Sequence, residues 1–268
     1  MQELSSIVIL ILCVYTVIGV LDQISIQIGV YTPLFAATFT GFLLGDIKSG
    51  LFIGATLQLA TLGVATYGGA TVPDYLSGAI IGTSYAILSQ MGAEYGIAIA
   101  VPIGLLLTQL DILGRMTNVI FQHKADRYAE EGNYKGVEMC NVLGTLPWVL
   151  SRVIPVFIGL FFGETVIQTI NNFIPGWFMN GLKAAGALLP AMGIAILMRY
   201  LPLKKYFYYF IIGFVAIAFS GGNMSVLAVA LLGFAFASLN YYRTMEKGTV
   251  KETAGTSVSD DDEIEIDG

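Results

Sequence analysis

The stretch GFLLGDIKSGLFIGATLQLATLGVATYGGATVPD, residues Gly41–Asp74, decides how this chain is read. It is apolar enough for a membrane interior, yet it is interrupted before it supplies the roughly 20 unbroken residues of a spanning helix. Gly41, Gly45, Gly50 and Gly54 form a ladder of small residues. Gln58 then interrupts the apolar run, and Gly68, Gly69 and Pro73 prevent a regular helix in front of Asp74. Irregular backbone is tolerated at membrane depth only where protein buries it or where it lines a wet cavity. Short or interrupted apolar segments are also the best sequence pointer to a transporter's binding site. The ladder itself suits close helix packing through small-residue faces, and tight packing of that kind is also how a rigid gate slides.

The surrounding sequence has the same character. Further apolar runs occupy Ser6–Leu21, Leu76–Met91, Gly96–Leu113, Cys140–Phe162, Ala185–Leu201, Tyr206–Phe219 and Met224–Leu239. Over 268 residues the chain is 56% hydrophobic and 12% charged, with a mean hydropathy of +0.75. Soluble domains carry about 25% charged residues, so this balance weighs against a cytosolic enzyme. Only 13 Lys and Arg spread over the whole chain argue against a nucleic-acid binder. The expected fold is an all-α polytopic membrane protein with short, broken helices. Around Ser220-Gly221-Gly222-Asn223 the choice lies between tilted short spans and a re-entrant hairpin.

Charge gives domain organisation and part of the topology. Residues 1–243 read as the membrane domain, with one long polar loop at about 115–139. Arg115, Lys124, Arg127 and Lys135 place that loop in the cytoplasm. Arg199, Lys204, Lys205 and Arg243 mark later returns to the same side, which makes the tail cytoplasmic and leaves the N-terminus unassigned. Residues 244–268 hold eight acids and two lysines, which accounts for the whole net charge of −6. A run of that composition reads as a disordered, solvated tail. Met1–Ser6 lacks the positive region of a cleavable signal peptide, so the first apolar run reads as a membrane segment.

Ionisable and amide groups inside apolar sequence are costly and mark function by default. Asp22, Gln23 and Gln27 stand together in LDQISIQIGV, Gln58 in the third run, and Asp74 behind the glycine–proline break. Glu94 and Asp111 close or open runs and read as boundary residues facing headgroups. Arg152 is the one basic residue well inside a run and calls for an acid partner elsewhere. Carboxylates and amides without a cluster of cations suit a neutral polyhydroxylated solute or a cation better than an anion. No catalytic residue, metal site or cofactor motif is expected. His123 is the sole histidine and falls in the polar stretch, no GxxxxGK[ST] phosphate loop is present, and Cys13 and Cys140 stand alone.

The ordered set Gly41, Gly45-Asp46, Gly50, Gly54, Thr56-Leu57-Gln58, Leu62-Gly63 and Pro73-Asp74 resembles the membrane C component (enzyme IIC) of the mannose/fructose/sorbose family of bacterial phosphotransferase systems. RMTNVIFQHKADRYAEEGN is similar to that family's cytoplasmic loop, and MNGLKAAG from Met179 to a further segment, so that the likeness covers about Leu21–Leu239. It implies a multi-pass protein of the bacterial cytoplasmic membrane with a transport core moving against a scaffold part. It also implies a D-type membrane subunit as partner, assembly as a trimer of C–D pairs, and soluble A and B components that carry phosphate on histidine. The chain itself would be no enzyme. It would deliver sugar, with mannose and glucose the expected substrates, for phosphorylation by the B component. Carried onto this chain, the sugar contacts are Asp22, Gln58 and Asp74, with Gln23 and Gln27 as secondary ones. Where some members have an acid at the position of Gln58, an amide leaves two-way hydrogen bonding and no proton to exchange. Some members also serve as receptors for antibacterial peptides. Two rival functions stand beside this one: an independent cation-coupled secondary transporter or channel, and a structural subunit whose partner holds every substrate contact.

Overall fold

A computed structural model describes residues 4–62, 72–163, 165–168, 175–221 and 224–255. Gly68 and Gly69, singled out above, and the end of the acidic segment from residue 256 lie outside the described residues. Among the described residues every regular element is helical. The chain divides into two compact units, residues 1–201 and residues 202–268.

The first unit holds α1 (Ser6–Ile24), α2 (Pro33–Leu44), α3 (Ile47–Ala60), α4 (Tyr75–Ser89), α5 (Ala93–Glu130), α6 (Tyr134–Phe161) and α7 (Gly176–Tyr200). Of these, α1, α5, α6 and α7 are long and apolar enough to cross a membrane. In contrast, α2, α3 and α4 have 12, 14 and 15 residues. At about 1.5 Å per residue they reach only about 18–23 Å. The short helices expected from the interrupted sequence are therefore present.

The glycine ladder is what joins α2 to α3. Pro33 opens α2 at a position where its missing N–H costs nothing. Gly45, at φ 84°, ends the helix in the left-handed region that glycine adopts freely. Asp46 then caps α3 by accepting the Ser49 N–H at 3.1 Å. Across the hairpin, a Cβ on Gly41 would lie 2.6 Å from the Asp46 carbonyl oxygen. One on Gly50 would lie 2.5 Å from that of Ala37, and one on Gly54 2.9 Å from that of Leu34. Backbone meets backbone, with no side chain between. The pair α4–α5 repeats the device through Gly78, Gly82 and Gly96. From Leu76 to Ala86, α4 is buried on every face. It is the central helix, packed by α1, α2, α3, α5 and α6.

The polar stretch at 115–139 is not an irregular loop. Helix α5 runs unbroken to Glu130, and α6 starts at Tyr134, capped by Asn133, which accepts the Gly136 N–H at 3.0 Å. Only Glu131-Gly132-Asn133 turns, with Gly132 at φ 69°. The stretch is polar and still helical, because its Ala, Arg, Glu and Lys favour helix strongly. The result is a long antiparallel hairpin, and exposed His123 lies on its first arm.

The second unit consists of α8 (Leu203–Phe219) and α9 (Val226–Gly255). The two pack together through Tyr209 and Phe236, whose ring centroids lie 5.9 Å apart. Among its described residues α8 has none buried, and Phe207, Phe214, Leu231 and Phe234 are exposed. Apolar faces of this extent suit lipid or another chain. Helix α9 continues to Gly255 and so takes in the start of the acidic segment.

Candidate functional site

Residues of α1 to α6 line a cavity of about 490 Å³ in the first unit. Gln23 comes from the end of α1, Gln58 from α3, and Asp74 from the N-terminus of α4. Asp111 and Arg115 come from α5, Trp148 and Arg152 from α6, and Gln27, Tyr31 and Thr32 from the α1–α2 connection.

Arg152 ties these elements together and is only 7% exposed. One terminal nitrogen donates to Gln23 Oε1, and the other donates to Asp111 Oδ1 at 3.3 Å. Its Nε lies 3.7 Å from Asp74 Oδ2. Asp111 uses its second oxygen to accept from Arg115 Nε at 2.8 Å, one helical turn along. The Arg115 guanidinium sits 5.0 Å from the centroid of the Trp148 ring, within the range of a cation–π contact. Acid and base thus alternate through Asp74, Arg152, Asp111 and Arg115, and these four carry no net charge.

Asp74 also holds the start of its own helix. Its N–H donates to the Gly104 carbonyl at 3.0 Å, and Oδ1 accepts the Ser77 N–H at 3.3 Å. The second oxygen, Oδ2, has no hydrogen-bond partner, and neither do Arg152 Nε and Gln58 Oε1. Buried polar atoms are nearly always satisfied, and leaving one unpaired costs about 1–3 kcal/mol. All three atoms belong to residues that line this one cavity, and two of them, Asp74 Oδ2 and Arg152 Nε, face each other at 3.7 Å.

Of the expected contacts, Gln23, Gln27, Gln58 and Asp74 line the cavity and Asp22 does not. Asp22 is buried, and its carboxylate accepts the N–H groups of Ile28, Gly29 and Tyr31 at 2.7, 3.0 and 3.2 Å. With its oxygens committed to backbone, it positions the turn that carries Gln27 and Tyr31. Asp111, read as a boundary residue, is in fact 4% exposed and ion-paired. The i, i+4 spacing of Asp111 and Arg115 was the available signal. Glu94 does lie exposed in the first turn of α5. Trp148 left no polar or charge signature in the sequence.

Four helices long and apolar enough to cross a membrane, with shorter apolar helices around a polar cavity, define the class as a polytopic membrane protein. The family model described as the sorbose-specific IIC component of phosphotransferase systems matches residues 6–239, and the chain belongs to that family. It is similar to the fructose permease IIC component of Bacillus subtilis, with 32% identity over 92% of this chain and 90% of the relative. It is also similar to the mannose-specific EIIC component of Escherichia coli, with 30% identity over 89% of each. A chain in the cryo-EM structure of the mannose transporter ManYZ with microcin E492 superposes with a TM-score of 0.58. That match has 30% identity and covers 90% of this chain and 97% of the other. A further solved membrane protein matches with a TM-score of 0.76 over the same shares. The chain is thus the membrane translocation component of a sugar phosphotransferase system and not the phosphoryl-transferring one.

Proposed function

We propose that the 490 Å³ cavity binds a hexose, mannose or glucose first among them, on its way to phosphorylation by a separate B component. The observation that carries this reading is the set of unpartnered buried atoms on Gln58, Asp74 and Arg152. A pyranose presents vicinal hydroxyls, each both donor and acceptor, so it can give a proton to Asp74 Oδ2 and Gln58 Oε1 and accept one from Arg152 Nε. A cavity of a few hundred Å³ is the size in which small ligands are held. A bare cation is poorly served, because Asp74 and Asp111 each face Arg152. Through its family the chain acquires a D-type membrane subunit, soluble A and B components and a trimer of C–D pairs, and the positive charge of Arg243 keeps the tail from about Thr244 cytoplasmic. The microcin bound to its structural relative makes an antibacterial peptide a reasonable further partner.

The test is sugar binding and complex assembly measured on the same preparations. Asp74→Asn keeps a capping side chain for α4 while removing the charge offered to a hydroxyl. A hydrogen bond to a charged group contributes about 1.5–3 kcal/mol, so affinity should fall roughly 10- to 150-fold at about 1.4 kcal/mol per decade. Gln58→Leu removes a neutral partner, and a loss of about 2- to 10-fold is expected from the smaller energy of such a bond. Asp22→Asn, off the cavity, should lower the yield of folded protein and leave affinity within about twofold. Unchanged affinity for both Asp74→Asn and Gln58→Leu, with the complex intact, would move the sugar contacts to the partner subunit.

A further inference from the structure

A second cavity, of about 670 Å³, adjoins the first, and Ile24 and Trp148 line both. Along α5 the first cavity uses Asp111 and Arg115, and the second uses Asn118 and Gln122. Along α6 the first uses Arg152, and the second Asn141 and Thr145. Since α5 and α6 are the arms of one hairpin, both shifts run toward the turn at Glu131-Gly132-Asn133. From Asp111 to Gln122 the helix advances about 16 Å at about 1.5 Å per residue. The two cavities are stacked along the hairpin, with Trp148 at their junction.

The indole is held from two directions. Arg115 packs on its ring at 5.0 Å. With the Asn118 amide oriented to satisfy both neighbours, its oxygen accepts the Trp148 Nε1–H at 3.3 Å and its nitrogen donates to the Gly144 carbonyl at 3.3 Å. Beyond the indole, the amides of Asn118, Gln122 and Asn141 and the hydroxyls of Ser25 and Thr145 line the space. Glu138 is the only charged residue among them. Groups that both give and accept protons suit a neutral polyol, and an indole offers the apolar face on which the C–H side of a pyranose packs. No lysine or arginine is among these lining residues to favour an anion.

We propose that this second cavity is a hexose subsite distinct from the first, which the sugar reaches by passing Trp148. The proposal rests on the first cavity holding sugar, and the experiment separates the two claims. Vesicles bearing the complete transport complex with full-length chain are assayed for equilibrium binding and for donor-driven uptake of radiolabelled mannose or glucose. Thr145→Trp fills the second cavity. It should lower uptake about tenfold or more while binding at the first cavity changes less than about twofold, a loss confined to steps after binding. In a second readout, Asn141→Cys is placed in a chain carrying Cys13→Ser and Cys140→Ser. A small charged thiol reagent should then label position 141, and saturating hexose should slow the labelling severalfold. Normal uptake by an assembled Thr145→Trp complex, or labelling that hexose does not slow, overturns the second subsite. If Thr145→Trp fails to assemble, the cysteine labelling decides alone. If the unaltered complex binds no hexose, it is the first cavity's function that fails.

Discussion

Replacing Arg152 by methionine is expected to abolish sugar binding and to leave little assembled protein in the membrane. The guanidinium is 7% exposed and stands between two carboxylates that are themselves 4% exposed. Removing one partner of a buried ion pair typically costs about 3–5 kcal/mol, because the remaining charge stays desolvated. The damage should fall unequally on the two acids. Asp111 keeps Arg115 at 2.8 Å, whereas Asp74 Oδ2 has no other ion-pair or hydrogen-bond partner. A second substitution, Asp74→Asn, should therefore restore much of the lost protein in the Arg152→Met background, and Asp111→Asn should restore less. Membrane abundance and detergent-stable yield of the four chains measure this directly. Equal rescue by both, or by neither, would show that Arg152 acts by packing and not by neutralising Asp74.

Gly50→Val should be comparably severe and for a different reason. A Cβ there would lie 2.5 Å from the Ala37 carbonyl oxygen and 2.9 Å from the Gly41 Cα. Overpacking usually costs about 1–3 kcal/mol because neighbouring side chains move aside. Here the neighbours are backbone atoms of α2, so relief requires the two helices to part, and a cost at or above the top of that range is expected. Gly181→Ala is the matched control, since a Cβ there meets nothing within 4 Å. Thermal unfolding followed by loss of monodispersity should separate the two sharply. A Gly50→Val protein as stable as Gly181→Ala would mean that α2 and α3 are not held in this backbone contact.

Much of this was visible in the sequence wherever packing and local chemistry agree. The ladder Gly41, Gly45, Gly50 and Gly54 announced close helices, because only glycine permits that approach. Gln58 and Asp74 stood out as polar groups in apolar surroundings. Arg152 was seen to need an acid. What escaped reading is what the tertiary fold adds. Asp111 ends an apolar run but not a helix, so its burial depends on α6 lying across it. Asp22 is as buried and ionisable as Asp74. Its oxygens are used by backbone six to nine residues later, in a turn with Gln27 at φ 58° and Gly29 at φ 110°. No helical or strand periodicity announces such a closure.

The balance of Asp74, Arg152, Asp111 and Arg115 has an electrical consequence. Moving one elementary charge through a membrane potential of 100 mV takes about 2.3 kcal/mol. The charged groups that line the cavity sum to zero, and a hexose adds none. Any displacement that carries this set as a unit along the membrane normal does no net work against the field. On these four groups and their sugar, therefore, a membrane potential exerts no net pull in either direction.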